Sequence, residues 1–568
     1  MPRKLFSRER IPFGTGVDVR DQTGKGPLKR LLWRTMAVIP AILLLCLVSP
    51  SRSSGPPAGP SDAPQRLTIL HTNDVHGHLR PFSYPAISLF RSGAVSEGNM
   101  QTAGLIGAFD LASLHDIGGI ARRATLAARI RTELAKQQTP VWLIDAGDIF
   151  FYSAFSNEYH GDASVLAMNQ AGYDFATLGN HEFEITLPQL KKMIADARFH
   201  FLCANIRDKA THEPLMKRDE VRQAGAVRVG IFGLVTNSVA HSVAANGGLE
   251  AEDPVTVAPA VVAELRGAMK ADIVVLISHC GDAVDQEIAR KTPGIDVIVG
   301  AHWHTRLPQG RLVPWSDELK PDEVNGTVLV QDGQWGAELG RLDLLLQKNA
   351  AGNWRVDRYR ERLIPVTSET PEDPAVNAVL DKLWAPYAAK YDEVLATATA
   401  DFAERGDDLP QVNLYADLVR AEFGVDVEFE GMGGVHWPIV AGPVTRAAMV
   451  DLDQNKSTVV TFRMKGSEIR RFVQRFTPVA SGLRYRMFRG KIEAITVDGA
   501  PLDDARVYSC AASSSMAGRL NGFEVLDRKD TARPWSEVVM DALRKAHTIT
   551  PAYDGRRIVV DNPRANTR

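Results

Sequence analysis

A layered α/β domain followed by a second, α+β domain is the architecture this sequence of 568 residues predicts. Three observations carry that expectation. Short apolar runs alternate with helix-like stretches from residue 66 to about 350. Several of those runs end abruptly in Asp, Asn or His. Beyond residue 400 the spacing of helix and strand patterns changes, and a chain of this length is too long for one hydrophobic core.

The runs are Leu67–Leu70, Val141–Ile144, Phe175–Leu178, Val227–Phe232, Ile273–Ile277 and Val297–Val299. Helix-like segments such as Ala121–Ala135 and Val165–Ala171 lie between them. Unbroken apolar runs separated by helices indicate strands covered on both faces. Residues 371–395 read as one helix, with Val376, Val379, Leu383, Tyr387 and Tyr391 at three- and four-residue spacing. Residues 400–560 mix helices (Gln411–Phe423, Gly466–Phe476) with strands (Thr458–Met464, Lys491–Val497). The expected domains are therefore 66–360, a linker helix within 361–399, and 400–560. Residues 83–118, rich in Ser, Gly and Ala, interrupt the first domain and read as a surface loop rather than a lid.

Residues 1–65 do not read as fold. Lys29, Arg30 and Arg34 precede an apolar run from Met36 to Val48, and a Ser/Pro/Gly stretch follows to Pro64. That order of zones is an export signal. The run is short for a membrane span, which takes about 20 residues. A retained anchor stays open, because Leu31–Trp33 could lengthen it. The expected location is outside the cytoplasm, periplasmic or at the cell surface, with membrane contact only if this segment is kept.

Composition sets limits. Apolar residues make up 45% and charged residues 24%, ordinary for a globular protein. A net charge of −2 offers no general basic field for nucleic acid. Past the signal only Cys203, Cys280 and Cys510 remain, which is no disulfide framework; Cys203 in its apolar run reads as a reduced core thiol.

The chemistry sits at the ends of the runs. Leu67–Leu70 leads into Asp74 and His76, Val141–Ile144 into Asp148, and Phe175–Leu178 into Asn180 and His181. Ile273–Ser278 leads into His279, and Val297–Gly300 into His302 and His304. Open α/β folds bind ligands beyond the carboxyl ends of their strands, so these groups are expected to converge on one pocket. Each signal alone is weak, since a D-x-H or a Gly-Asn-His is usually just a turn. Five in this order are not.

Read together, His71-Thr72-Asn73-Asp74-Val75-His76-Gly77, Asp145-Ala146-Gly147-Asp148, Leu178-Gly179-Asn180-His181-Glu182-Phe183, Ser278-His279-Cys280-Gly281 and Gly300-Ala301-His302-Trp303-His304 resemble the metallophosphoesterase blocks of the 5′-nucleotidase family. The resemblance implies a layered α/β/β/α sandwich and two divalent cations. It places Asp74, His76 and His304 on one cation, Asn180, His279 and His302 on the other, and Asp148 between them. It also implies that His181 assists the transition state or the leaving group, oriented by a carboxylate, here Glu184 where the family has Asp. Mixed oxygen and nitrogen donors without thiolate suit zinc, manganese or similar cations better than calcium. Two such cations acidify a shared water and neutralise an attacked phosphate.

Residues 400–560 are similar to the family's substrate-binding domain in outline only, through Asn413–Asp417 and Ala441–Thr445. Where the family has Gly-Gly-Ile-Arg this chain has Gly433-Gly434-Val435-His436, and a Pro-Phe-Gly-Asn turn is replaced by Gln454-Asn455-Lys456-Ser457. Asn521-Gly522-Phe523 is what remains of a longer aromatic motif. His436 and Phe523 are thus the candidate substrate contacts, with Trp437 as a second aromatic. Losing the arginine removes a bidentate phosphate clamp. Losing one stacking ring forfeits roughly 1–3 kcal/mol. The function expected is hydrolysis of a small phosphomonoester, a nucleotide included. A cyclic-nucleotide phosphodiesterase and a thiosulfohydrolase-like sulfur-ester hydrolase are the alternatives.

Overall fold

The computed structural model describes residues 63–83, 115–151, 153–240, 242, 247–316, 324–403, 405, 407–431, 439–450 and 456–560. The expected export signal, most of the 83–118 insertion, and His436, Trp437, Gln454 and Asn455 lie outside the described residues.

Twelve strands of the first half are labelled in chain order: β1 (Gln65–Thr72), β2 (Val141–Asp145), β3 (Phe175–Ala176), β4 (His200–Phe201), β5 (Asp219–Ala224), β6 (Val227–Val235), β7 (Ile273–His279), β8 (Val297–Val299), β9 (Arg311–Pro314), β10 (Gly326–Val330), β11 (Glu338–Lys348) and β12 (Trp354–Pro365). They form two six-stranded sheets, in the orders β12-β11-β1-β2-β3-β4 and β9-β10-β8-β7-β6-β5. The centre of each sheet is parallel: β1, β2, β3 and β4 in one, β6, β7, β8 and β10 in the other. Antiparallel strands finish the edges.

The helices are α1 (Ile120–Ala135), α2 (Ala154–Tyr159), α3 (Asp162–Ala171), α4 (Leu187–Asp196), α5 (Pro254–Gly267), α6 (Asp282–Lys291), α7 (Pro374–Trp384) and α8 (Ala388–Tyr391). Leu67, Ile69, Ile144, Val229, Ile231, Val275 and Val299 face one another in a core between the sheets. A second core joins the outer face of the first sheet to α1, α3, α4 and α7. A third joins the outer face of the second sheet to α5 and α6. The layering is α/β/β/α. Strand alternation sends Leu67 and Ile69 inward while Leu70 turns to the helix side, which is why the runs are apolar throughout.

Two expectations need correction. The single helix over 371–395 is two, because Ala385-Pro386-Tyr387 separates α7 from α8. Pro386 has no N–H to donate and its ring opposes the preceding turn. The boundary expected at 360 falls inside β12, which stays paired with β11 through Pro365.

In the second half a five-stranded sheet runs Val479–Ser481, Val427–Glu430, Val507–Ser513, Thr458–Lys465, Leu526–Pro534. Phe429, Phe462 and Phe472 fill one face with the helix Gly466–Phe476, and Tyr415, Val459 and Trp535 fill the other. Four- and three-stranded sheets complete an α+β unit.

Candidate metal centre

Every sequence-predicted ligand lies at or just beyond the carboxyl end of a parallel strand. β1 and β2 end side by side, Thr72 paired with Asp145. Their loops are then zipped together, Asp74 N donating to Gly147 O at 3.0 Å and His76 N to Asp148 O at 2.9 Å. His279 is the last residue of β7, and the loop after β8 delivers His302 and His304. Asp74, His76, Asp148, His302 and His304 all hold positive φ, between 49° and 78°. Left-handed backbone is costly for a residue with a Cβ and persists where its surroundings impose it, which is typical of functional loops.

The structure brings the seven together. Potential ligand atoms of Asp74, His76 and His304 lie within 4.8 Å of one another, as do those of Asp148, His279 and His302, and those of His76, Asp148 and His181. Asp148 Oδ2 is 3.1 Å from His279 Nε2, 3.8 Å from His181 Nε2 and 4.0 Å from His76 Nε2. His279 Nε2 is 3.2 Å from Asn180 Oδ1. His76 Nε2 and His304 Nε2 are 3.0 Å apart, and His304 Nε2 is 3.4 Å from Asp74 Oδ1. Asp148 thus faces both groups, and Asp74 Oδ1 also comes within 3.9 Å of His279 Nε2.

Electrostatics favour a cation. Burial pushes the Asp74 carboxyl up, but His304 and His279 beside it hold it down at about 2. Asp148 behaves alike: burial is outweighed by His279, His181 and His76, and its carboxyl stays well below the ordinary range. Burial lowers His302 to about 4 and His76 well below the usual imidazole value, leaving each ring neutral, with one nitrogen free to donate a lone pair. His279 goes the other way, because Asp148 and Asp74 override its burial and raise it to about 10. Cys280, next to His279 in the chain, packs into the α5–α6 core with its pKa driven well up by burial. Two carboxylates, an amide and four imidazoles without thiolate fit a hard-to-borderline divalent cation.

His181 opens a one-turn 3₁₀ segment, His181–Glu184. Its Nδ1 is 2.8 Å from Glu184 Oε1, and its ring meets Phe151 at a centroid distance of 3.3 Å. The longer Glu side chain therefore reaches the imidazole. Phe523 lies in the second half, its ring 5.4 Å from Phe472 and 6.0 Å from Phe476, with the Arg471 guanidinium 4.9 Å above it.

Several supporting residues escaped the sequence reading. Glu182 is fully buried and accepts from Gly179 N (2.5 Å), Asp148 N (2.9 Å) and Ile149 N (2.9 Å), tying the β2 and β3 loops together. Asn73 donates to Asp74 Oδ2 at 2.7 Å and to Gly333 O at 2.6 Å. His279 Nδ1 is 2.8 Å from Ala146 O, a contact that orients Nε2 toward Asp148. The only signal for Glu182 and Asn73 was their place inside the quoted motifs.

Comparison with known proteins gives this geometry a family. Residues 67–306 match the calcineurin-like phosphoesterase model, and residues 393–528 match the 5′-nucleotidase C-terminal domain model. The chain belongs to the 5′-nucleotidase family. A 5′-nucleotidase of Vibrio vulnificus is 27% identical over 88% of this chain and 92% of its own length. The crystal structure of a 5′-nucleotidase precursor from Thermus thermophilus is 25% identical, covers 88% of this chain and 100% of its own, and superposes with a TM-score of 0.65. The sulfate thiohydrolase SoxB of Thermus thermophilus, 22% identical over 90% of this chain and 98% of its own, shares the fold with a TM-score of 0.66. As a 5′-nucleotidase family member with a calcineurin-like domain, the protein is a metal-dependent phosphoric ester hydrolase.

Proposed function

We propose that this family member hydrolyses small phosphomonoesters, nucleoside 5′-phosphates foremost, using two divalent cations of the zinc or manganese type. Asp74, His76 and His304 would hold one, Asn180, His279 and His302 the other, and Asp148 would bridge. When bound, such a pair supplies Lewis-acid activation of water and neutralises phosphate charge. Around it the chain's own groups do the rest. His181, set against Asp148 and fixed by Glu184 through Nδ1, presents Nε2 as the proton donor to the departing oxygen. Phe151 packed on His181 limits the ring's swing. Glu182 keeps the Asp148 and Asn180 loops in register.

The second domain, residues 400–560, is where the substrate's organic part would bind, with His436 and Phe523 as contacts. Nucleotide as substrate rests on the name borne by the Vibrio vulnificus relative. The sulfur-ester alternative has less behind it, because the likeness to the thiohydrolase is one of fold. The cyclic-nucleotide alternative has no specific observation in its favour. Export rests on the pattern Lys29 to Pro64. Among the described residues no helix is long and apolar enough to cross a membrane.

The position of Asp148, opposite His76, His181 and His279 at once, carries the reading. Purified protein with Mn²⁺ should release phosphate from AMP and from p-nitrophenyl phosphate. Asp148→Asn should lower kcat/KM by at least about a hundredfold. Undiminished turnover in that variant would overturn it.

A further inference from the structure

The loop after β8 carries two predicted ligands with a tryptophan between them. Residues 302–304 read His-Trp-His; the histidines turn into the metal centre, while Trp303 is left 45% exposed. Leu166, Val394, Phe488 and Val507 are the other large apolar side chains exposed among the described residues, and none of them lies in a ligand loop. A single apolar side chain at a surface is ordinary. One that is seated by the metal centre's own loops is not.

The seat is Gly281. It follows the predicted ligand His279 by two residues and stands at the N-cap of α6 with φ 88°. A Cβ on residue 281 would fall 1.9 Å from Trp303 Cδ1 and 2.0 Å from Nε1. The pyrrole edge of the indole therefore rests on the glycine backbone, in a gap that only a residue without a side chain leaves. The indole plane stands at 88° to the His302 imidazole with 6.3 Å between centroids, and the His302 and His279 rings are 5.2 Å apart. Two ligand loops thus fix one ring beside His279 and His302.

An indole held by its edge and open to solvent is a preformed stacking surface. A side chain already ordered loses little freedom when a ligand covers it, and an aromatic face gains most from a flat partner. Phosphate held by the neighbouring histidines would place the organic part of the same ester within reach of this ring. Nucleoside 5′-phosphates carry a flat group of that kind in the base.

We propose that Trp303 stacks on the planar ring of the substrate's organic part, a nucleobase, and so makes the protein select ring-bearing phosphomonoesters over those without a ring. This rests on the phosphomonoesterase reading above. It adds a substrate contact from the first domain to those expected in the second.

AMP and ribose 5-phosphate share the same ester and differ in the base alone. Their kcat/KM values with Mn²⁺ are to be compared in the full chain, W303F and W303L, with metal content measured in each. Wild-type protein should favour AMP. W303L, apolar but without a π face, should cut that preference about tenfold, in KM rather than kcat, as expected for one stacked base. W303F should keep most of it. Adenosine gives a readout free of turnover: its calorimetric Kd should rise about tenfold in W303L and much less in W303F. An AMP preference unchanged in W303L, or equal losses on both esters, would overturn the proposal, as would a W303F as impaired as W303L. Should W303L fail to fold or shed its metal, W303M takes its place on the same criteria. A wild-type chain that hydrolyses both esters equally well sinks only the role of Trp303. One that releases phosphate from neither sinks the phosphomonoesterase reading, and this proposal with it.

Discussion

Glu184 stands where one methylene more or less decides whether a carboxylate can steer the imidazole of His181. The structure has it at 2.8 Å from His181 Nδ1. Glu184→Gln should therefore lower kcat about tenfold or more while leaving bound metal unchanged, as measured by steady-state kinetics beside elemental analysis. Asp285 is a different case. It is fully buried and takes the Ser278 hydroxyl on Oδ1, while Oδ2, without a hydrogen-bond partner among the described residues, stands where a side chain on residue 300 would be. Burial raises its carboxyl to about 8. The folded state thus holds a proton that the unfolded chain releases near 3.8, so stability is full below that value and falls as pH rises toward 8. Asp285→Asn should flatten the decline of metal-free stability between pH 5 and 8 by up to about 1.4 kcal/mol per pH unit, read from urea unfolding. The convergence of Asp74, His76, Asp148, Asn180, His279, His302 and His304 was legible in the sequence because each stands at or shortly after the end of an apolar run. Asp285 and Glu182 were not, since each is an ordinary charge until burial makes it matter.

Among the elements, local pattern and local structure agree where periodicity is strong. The helix Gly466–Phe476 and the strand Lys491–Val497 fall at the residues expected. Phe175–Leu178 is shorter as a strand, Phe175–Ala176, because Leu178 already belongs to the turn that swings Asn180 into the site. The long β11–β12 hairpin was not read at all: its residues alternate Arg, Asp and Glu with apolar ones, a pattern for a sheet with one wet face rather than a buried parallel strand. Misreading α7 and α8 as one helix came from counting apolar spacing across Pro386. α7 is a firm element all the same, since Asp373 caps it by accepting from Ala375 N and Val376 N, and Val376 and Leu380 enter the α1–α3 core. Asp373→Ala should cost about 1 kcal/mol of unfolding free energy in urea and leave kcat alone.

For the molecule entire, the layered sandwich was foreseeable and the seating of its halves was not, because contacts such as His115 with Asp401 join residues far apart in sequence. The candidate metal centre draws on β1, β2, β3, β7 and β8, so cations held there as proposed would cross-link both sheets. Chelation should therefore lower global stability, by about 4 kcal/mol per site when free metal had stood a thousandfold above Kd, seen as a fall in Tm that Mn²⁺ reverses. An unchanged Tm would argue against sheet-spanning cations. The cysteines carry one more consequence. Cys203, Cys280 and Cys510 are unpaired and lie in three separate cores: beside α1–α4, beside α5–α6, and within the second half. A colourless thiol reagent added to the native protein would find none of them at the surface. The order in which the three become tagged during slow opening is then a timetable, written into the molecule, of which layer comes apart first.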